Sequence, residues 1–195
     1  MRRSFFSLLI GGFALAGTAH STPLLSSEQT QFFQQLSQHC GQAYQGSIRI
    51  DTNPSAAFTN KTLTMHVREC SDNEIKIPFH VGENHSRTWV ITKTKSGLRL
   101  KHDHRQPDGT EDPLTQYGGD TSENGTAETQ SFPLDAFSLT LMQQHNLTQS
   151  LQNVWHLHLN EQRFGYRLTS GTREFLAEFD LSKPVALPPI PWGHQ

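Results

Sequence analysis

The chain is poor in charge, in cysteine and in long apolar runs. Of its 195 residues only 17% are charged, and a net charge of −2 supplies neither a basic field nor an acidic tail. No nucleic-acid partner is expected, because affinity for a polyanion is built from clustered lysine and arginine. The two cysteines, Cys40 and Cys70, are too few for a disulfide-stapled miniprotein and lack the C-x-x-C spacing of a redox pair. Beyond the first twenty residues no apolar run approaches the roughly 20 residues that a membrane-crossing helix needs. Nucleophile and phosphate motifs are missing too: there is no G-x-S-x-G, S-x-x-K, H-E-x-x-H or phosphate-cradling glycine loop. Carboxylates such as Glu69, Glu111 or Asp112 could do acid–base chemistry without leaving any motif, so the missing motifs do not exclude catalysis.

What is present begins with an export signal. Residues 1–20 read MRRSFFSLLIGGFALAGTAH: Arg2 and Arg3 give a positive start, residues 5–15 a short apolar stretch, and Ala14-Leu15-Ala16 or Gly17-Thr18-Ala19 a small-residue cleavage site. The paired arginines also fit a twin-arginine signal. Residues 1–19 are therefore assigned to a signal peptide, residues 20–183 to a single domain and residues 184–195 to a proline-rich tail. Cleavage removes Arg2 and Arg3 and no acid, which moves the net charge from −2 to −4. Both cysteines fall in the exported part, where an oxidising compartment favours a Cys40–Cys70 disulfide over free thiols. A bridge closing a loop of that length stabilises the fold by about 3 to 4 kcal/mol in the chain-entropy model.

Ser26 and Ser27 can cap a helix over residues 28–40, with Phe32, Phe33, Leu36 and Cys40 at helical spacing and Gly41 as its stop. Period-two alternation then dominates, over residues 47–51, 62–69, 74–81, 87–93, 98–105, 115–121, 126–132, 154–159, 164–168 and 174–181. Hairpin chemistry separates these segments: Lys95-Ser96-Gly97, Pro107-Asp108-Gly109, Asn124-Gly125, Asn160-Glu161-Gln162 and Ser170-Gly171. A second, short helix is expected over residues 135–146, behind an Asp135 cap. The class is thus mainly β: an antiparallel meander of about ten strands with an N-terminal helix and one inserted helix. Open edges invite association, so the meander should curl into a closed or nearly closed barrel of the lipocalin or fatty-acid-binding type, in preference to a β-sandwich. The tail, rich in prolines that lack the amide hydrogen, should leave the sheet at Pro184 and pack Leu187, Ile190 and Trp192 against the body.

Two constellations could carry chemistry. His80, His85, His102 and His104 crowd into 25 residues, and alternation puts Leu98, Leu100, His102 and His104 on one face of their strand, with Asp103 on the other. Two imidazoles on one face suit a divalent transition metal, with a third ligand from His80, His85 or Asp120. The His-x-His pair resembles that of cupins, but no second histidine motif follows. The other constellation is Arg87-Thr88-Trp89, in which an arginine and a tryptophan share a face fit to clamp a carboxylate or stack on a planar ligand. Tyr117-Gly118-Gly119-Asp120 reads as a strand kink.

Several stretches together resemble a functionally uncharacterised family of exported proteobacterial proteins. They are Cys40-Gly41 with Ala43-Tyr44 and Gly46; Arg87-Thr88-Trp89-Val90; residues 97–105 with Asp108-Gly109; Tyr117-Gly118-Gly119-Asp120-Thr121; Phe132-Pro133 with Asp135; Asn153-Val154-Trp155; and Glu178-Phe179-Asp180-Leu181. The resemblance covers most of the mature chain and implies a bacterial, periplasmic or secreted protein, with no catalytic residues to carry over. The leading expectation is a monomeric barrel that binds a small apolar or anionic ligand through Arg87, Trp89, His102 and His104, without a cofactor or catalysis. The alternatives are a metal-dependent, hydrolase-like enzyme using His80, His85, His102 and His104, and an envelope interaction module using the proline-rich tail.

Overall fold

The computed structural model describes residues 25–194, and the expected export signal and cleavage site lie outside the described residues. Helix α1 (Ser27–Ser37) is held at its start by a capping box: the Ser26 hydroxyl accepts the Gln29 N–H, and the Gln29 side chain accepts the Ser26 N–H. Its buried stripe is Phe32, Phe33 and Leu36. Gly41, at φ +81°, takes the left-handed turn that releases the chain into the sheet.

The sheet comprises β1 (Ala43–Asp51), β2 (Leu63–His66), β3 (Glu69–Cys70), β4 (Glu74–Val81), β5 (Asn84–Lys93), β6 (Leu98–His104), β7 (Tyr117–Asp120), β8 (Thr129–Pro133), β9 (Val154–Leu159), β10 (Arg163–Ser170) and β11 (Arg173–Val185), with α2 (Ala136–Gln144) between β8 and β9. The order is β7-β6-β5-β4-β2-β1-β11-β10-β9-β8, every pairing antiparallel, with short β3 beside β4. The first and last long strands pair with one another, so the seam of the barrel falls in mid-chain, between β7 and β8.

Short polar links stitch that seam. The Asp135 N–H donates to the Gly118 carbonyl at 2.9 Å, while the Ser138 hydroxyl accepts the Gly118 N–H at 2.8 Å and donates to the Gly118 carbonyl at 2.9 Å. Asp135 also caps α2, accepting the Ser138 N–H at 2.8 Å, so the helix start and the seam are one structure. The two glycines read as a kink are required here by close approach. A Cβ on Gly118 would collide with the Leu100 carbonyl, and one on Gly119 with that of Pro133. The result is a nearly closed barrel.

Two details depart from the sequence reading. The strand expected over residues 62–69 is two short ones, because the chain changes partner at Val67: its N–H donates to the Gln42 carbonyl, whereas the Arg68 N–H donates to that of Lys76. The sheet also runs past Pro184, which pairs opposite Tyr44 beside a register shift between Tyr44 and Gly46, the kind of irregularity where sheets admit proline. Of the tail, Trp192 is half-buried and its backbone N–H donates to the His85 carbonyl at 3.0 Å, but Leu187 and Ile190 stand exposed at 62% and 63%. Cys40 and Cys70 are bridged, with their Cα atoms 6.2 Å apart, fastening the exit of α1 to β3.

Inside the barrel, alternate residues build one core. Ile75, Ile77, Phe79 and Val81 of β4 face inward with Trp89 and Ile91 of β5, Leu98 and Leu100 of β6, and Phe175, Ala177 and Phe179 of β11, all buried. Near β5 and β6, α1 covers one end: Lys93 Nζ lies 4.3 Å from the Phe33 ring centroid, and the Gln29 side-chain amide donates to Thr121 Oγ1 at 2.9 Å. The opposite ends of β5 and β6 carry Arg87 and His104.

Candidate functional site

At the end away from α1 the interior is not filled. A cavity of about 320 Å³ remains, and Arg87, Trp89, His102 and His104 all line it. Register explains their convergence: His102 lies opposite Trp89 on β5 and Tyr117 on β7, and His104 lies opposite Arg87. Because each pair belongs to the inward-facing set, one strand alternation delivers all of them to the same space.

The walls are aromatic. Tyr166 stacks on Trp89 with centroids 4.4 Å apart, and Trp89 stacks on Phe79 at 4.7 Å. Tyr117 stacks on the His102 ring at 4.6 Å, and Trp155 tilts against both, 4.8 Å from His102 and 5.7 Å from Tyr117. Phe58, from the β1–β2 loop, comes within 5.1 Å of Phe175 and lies under the Arg87 guanidinium at 5.7 Å. Polar groups enter at the rim: Arg87, Arg173, Asp112, Ser150 and Asn153.

His102 is fixed as a wall residue. Its Nδ1 donates to the Tyr117 carbonyl at 3.1 Å, which can only accept, and its Nε2 accepts the Tyr166 hydroxyl at 2.8 Å. Burial, with smaller repulsion from His104 and Lys101, pushes its pKa down to about 3, so the ring is neutral. Burial also raises the phenol of Tyr166 well above its ordinary value and that of Tyr117 to about 12. His104, whose Nε2 lies 3.1 Å from the Tyr117 hydroxyl, is lowered to about 4 by burial and then by the charge of Arg87. Arg87 is itself lowered by burial, against the pull of Tyr117, Tyr166 and Asp112.

The four-histidine metal set does not assemble. His80 lies between the core residues Phe79 and Val81 and so points out of the barrel, where its Nδ1 meets His85 Nδ1 at 2.8 Å beside Trp192 of the tail. Neither His80 nor His85 reaches the cavity. His102 has both nitrogens engaged, and Asp120 is paired with Arg99. Among the described residues no group of three or more His, Cys, Asp or Glu is placed to hold a metal ion. Asp103 faces outward as expected, ion-paired with Arg105 at 2.8 Å and lying 3.1 Å from His194 Nε2.

Several cavity residues escaped the sequence reading. Arg173 fell just outside the strand expected over residues 174–181, yet its place two residues before inward-facing Phe175 was the available signal. Tyr117 was absorbed into the kink, while Trp155, Tyr166 and Phe58 carried no pattern that told a cavity wall from ordinary core. Comparison of the chain with protein-family models, with curated proteins and with solved structures found no match.

Proposed function

We propose that this protein is an exported carrier or receptor for a small molecule, which it holds inside the barrel without transforming it. The observation that carries this reading is the unfilled 320 Å³ space, walled by stacked aromatic rings and rimmed by a few polar groups. Ligand sites have that composition, and roughly 300 Å³ is the lower end of their usual volume. Tight packing is the norm in protein interiors, so a gap of this size amid large side chains needs an occupant or a reason. The wall chemistry favours holding over reaction: His102 is neutral with both nitrogens bonded, and Asp112 is bound by the Gln106 side chain and the Leu114 N–H. Export is supported by the N-terminal sequence, and the intramolecular disulfide is compatible with it. No described helix is long and apolar enough to cross a membrane.

The test is extraction of the purified mature protein into organic solvent, followed by mass spectrometry. A compound released in near one-to-one amount supports the reading. An empty extract, combined with no uptake of small aromatic probes by calorimetry, overturns it.

A further inference from the structure

The arginines of this chain fall into two groups. Arg49, Arg68, Arg99, Arg105, Arg163 and Arg167 each have a carboxylate oxygen between 2.5 and 3.1 Å away, and none of the six lines the cavity. Arg87 and Arg173 are the other two described arginines, both line the cavity, and neither is ion-paired with any described residue. Arg87 donates from Nη1 to Asn84 Oδ1 at 2.9 Å and to Ser86 Oγ at 3.5 Å, which leaves Nε and Nη2 without a partner among the described residues. The Nε of Arg173 is buried with no hydrogen-bond partner. A desolvated guanidinium without a counter-charge is costly, and its planar fork of donors matches a carboxylate.

No described carboxylate forms an ion pair with either arginine, although Asp112 attracts Arg87 from longer range. Asp112 is the one carboxylate in the lining, and its two oxygens accept from the Leu114 N–H at 2.8 Å and from Gln106 Nε2 at 2.5 Å. Phe58, under Arg87, lies 5.1 Å from Phe175, and Arg173 precedes Phe175 by two residues on the same strand, so all four line one cavity.

We propose that the cavity's ligand is a small aromatic carboxylate, its anionic group recognised by Arg87 and Arg173 and its ring by the aromatic walls. The proposal rests on the ligand-binding reading above and narrows it to an anion. It makes the arginine pair specificity-determining: they contribute little to an uncharged compound of the same shape.

The test uses isothermal titration calorimetry on the mature, disulfide-bonded protein with 2-naphthoate and its uncharged counterpart, 2-naphthamide. Naphthoate should bind at least about tenfold more tightly than the amide, as a charge-assisted, bidentate contact requires. Arg87→Gln and Arg173→Gln should each weaken naphthoate about tenfold while leaving the amide within about twofold, so the amide also reports whether each variant is folded. If the amide binds as well as the acid, or if both variants weaken the two probes alike, the anion assignment is overturned while ligand binding stands. If neither probe binds the unmutated protein, the aromatic-carboxylate assignment is overturned, while ligand binding itself is decided by the extraction experiment above.

Discussion

The two ends of the barrel use the same strands and are finished differently. At one end α1 lays Phe32, Phe33 and Leu36 against the strand ends, and all three are buried. At the other, the same β5 and β11 carry Arg87 and Arg173, β6 carries His104, and a 320 Å³ space stays open. Leucine and phenylalanine can fill a gap from any side, because dispersion and burial have no preferred direction. Arginine and histidine cannot, since each must keep its polar atoms bonded or wet. The apolar end therefore builds stability, and the polar end keeps room for a visitor.

Acid should produce the largest change, and it acts at the open end. Unfolded histidines protonate near pH 6.5, whereas His104 stays neutral in the fold to about 4 and His102 to about 3, chiefly because burial penalises their charged forms. The unfolded state then binds more protons, so stability is full above pH 6.5 and is lost as pH falls toward 4. Together the two approach a slope of about 2.7 kcal/mol per pH unit in that window, and His80, lowered to about 4 by burial, adds to it. Urea unfolding at pH 7 and pH 5 measures this. A flat profile would mean that the rings ionise in place and that the wall is not dry.

Next in size is damage to the closed end. Phe32→Ala should cost about 3 to 5 kcal/mol in denaturant unfolding, through lost burial and the cavity left behind. Tyr166→Phe returns to the open end with a smaller effect. It keeps the ring but strands the buried Nε2 of His102, costing about 1 to 3 kcal/mol. The same substitution should raise the pH at which His102 protonates little or not at all, because the ring stays buried, and NMR titration of its carbon-bound protons reads that out. Smallest of all, Arg173→Gln should leave stability within about 0.5 kcal/mol, since this arginine has no partner to lose. Should Arg173→Gln cost as much as Phe32→Ala, the division of labour between the two ends is wrong.

Much of the architecture was legible because it follows from local rules. The Ser26 cap and the Phe32, Phe33, Leu36 stripe define α1, Asp135 starts α2, and the period-two segments are the strands of the barrel, shifted by a few residues at their ends. Alternation also placed His102 with His104, and Arg87 with Trp89, on shared faces, as the register has them. The grouping of all four histidines went astray for a reason of the same kind. Nearness in sequence says nothing about sides, and His80 sits between two inward residues, so it must face out. The tail misled through proline: the missing amide hydrogen excludes a regular ladder position, but not one beside a bulge.

The sequence by itself determined a mainly β chain with two capped helices and a few inward-facing polar residues. Those are properties of neighbours along the chain, set by backbone stereochemistry and side-chain period. Tertiary structure alone decided that β1 pairs with β11, that Ser138 and Asp135 draw the seam together, and that Arg173 comes to face the same cavity as Arg87. Which arginines find carboxylates and which do not depends on strand register across the whole barrel, a relation between residues far apart in the chain that no local pattern encodes.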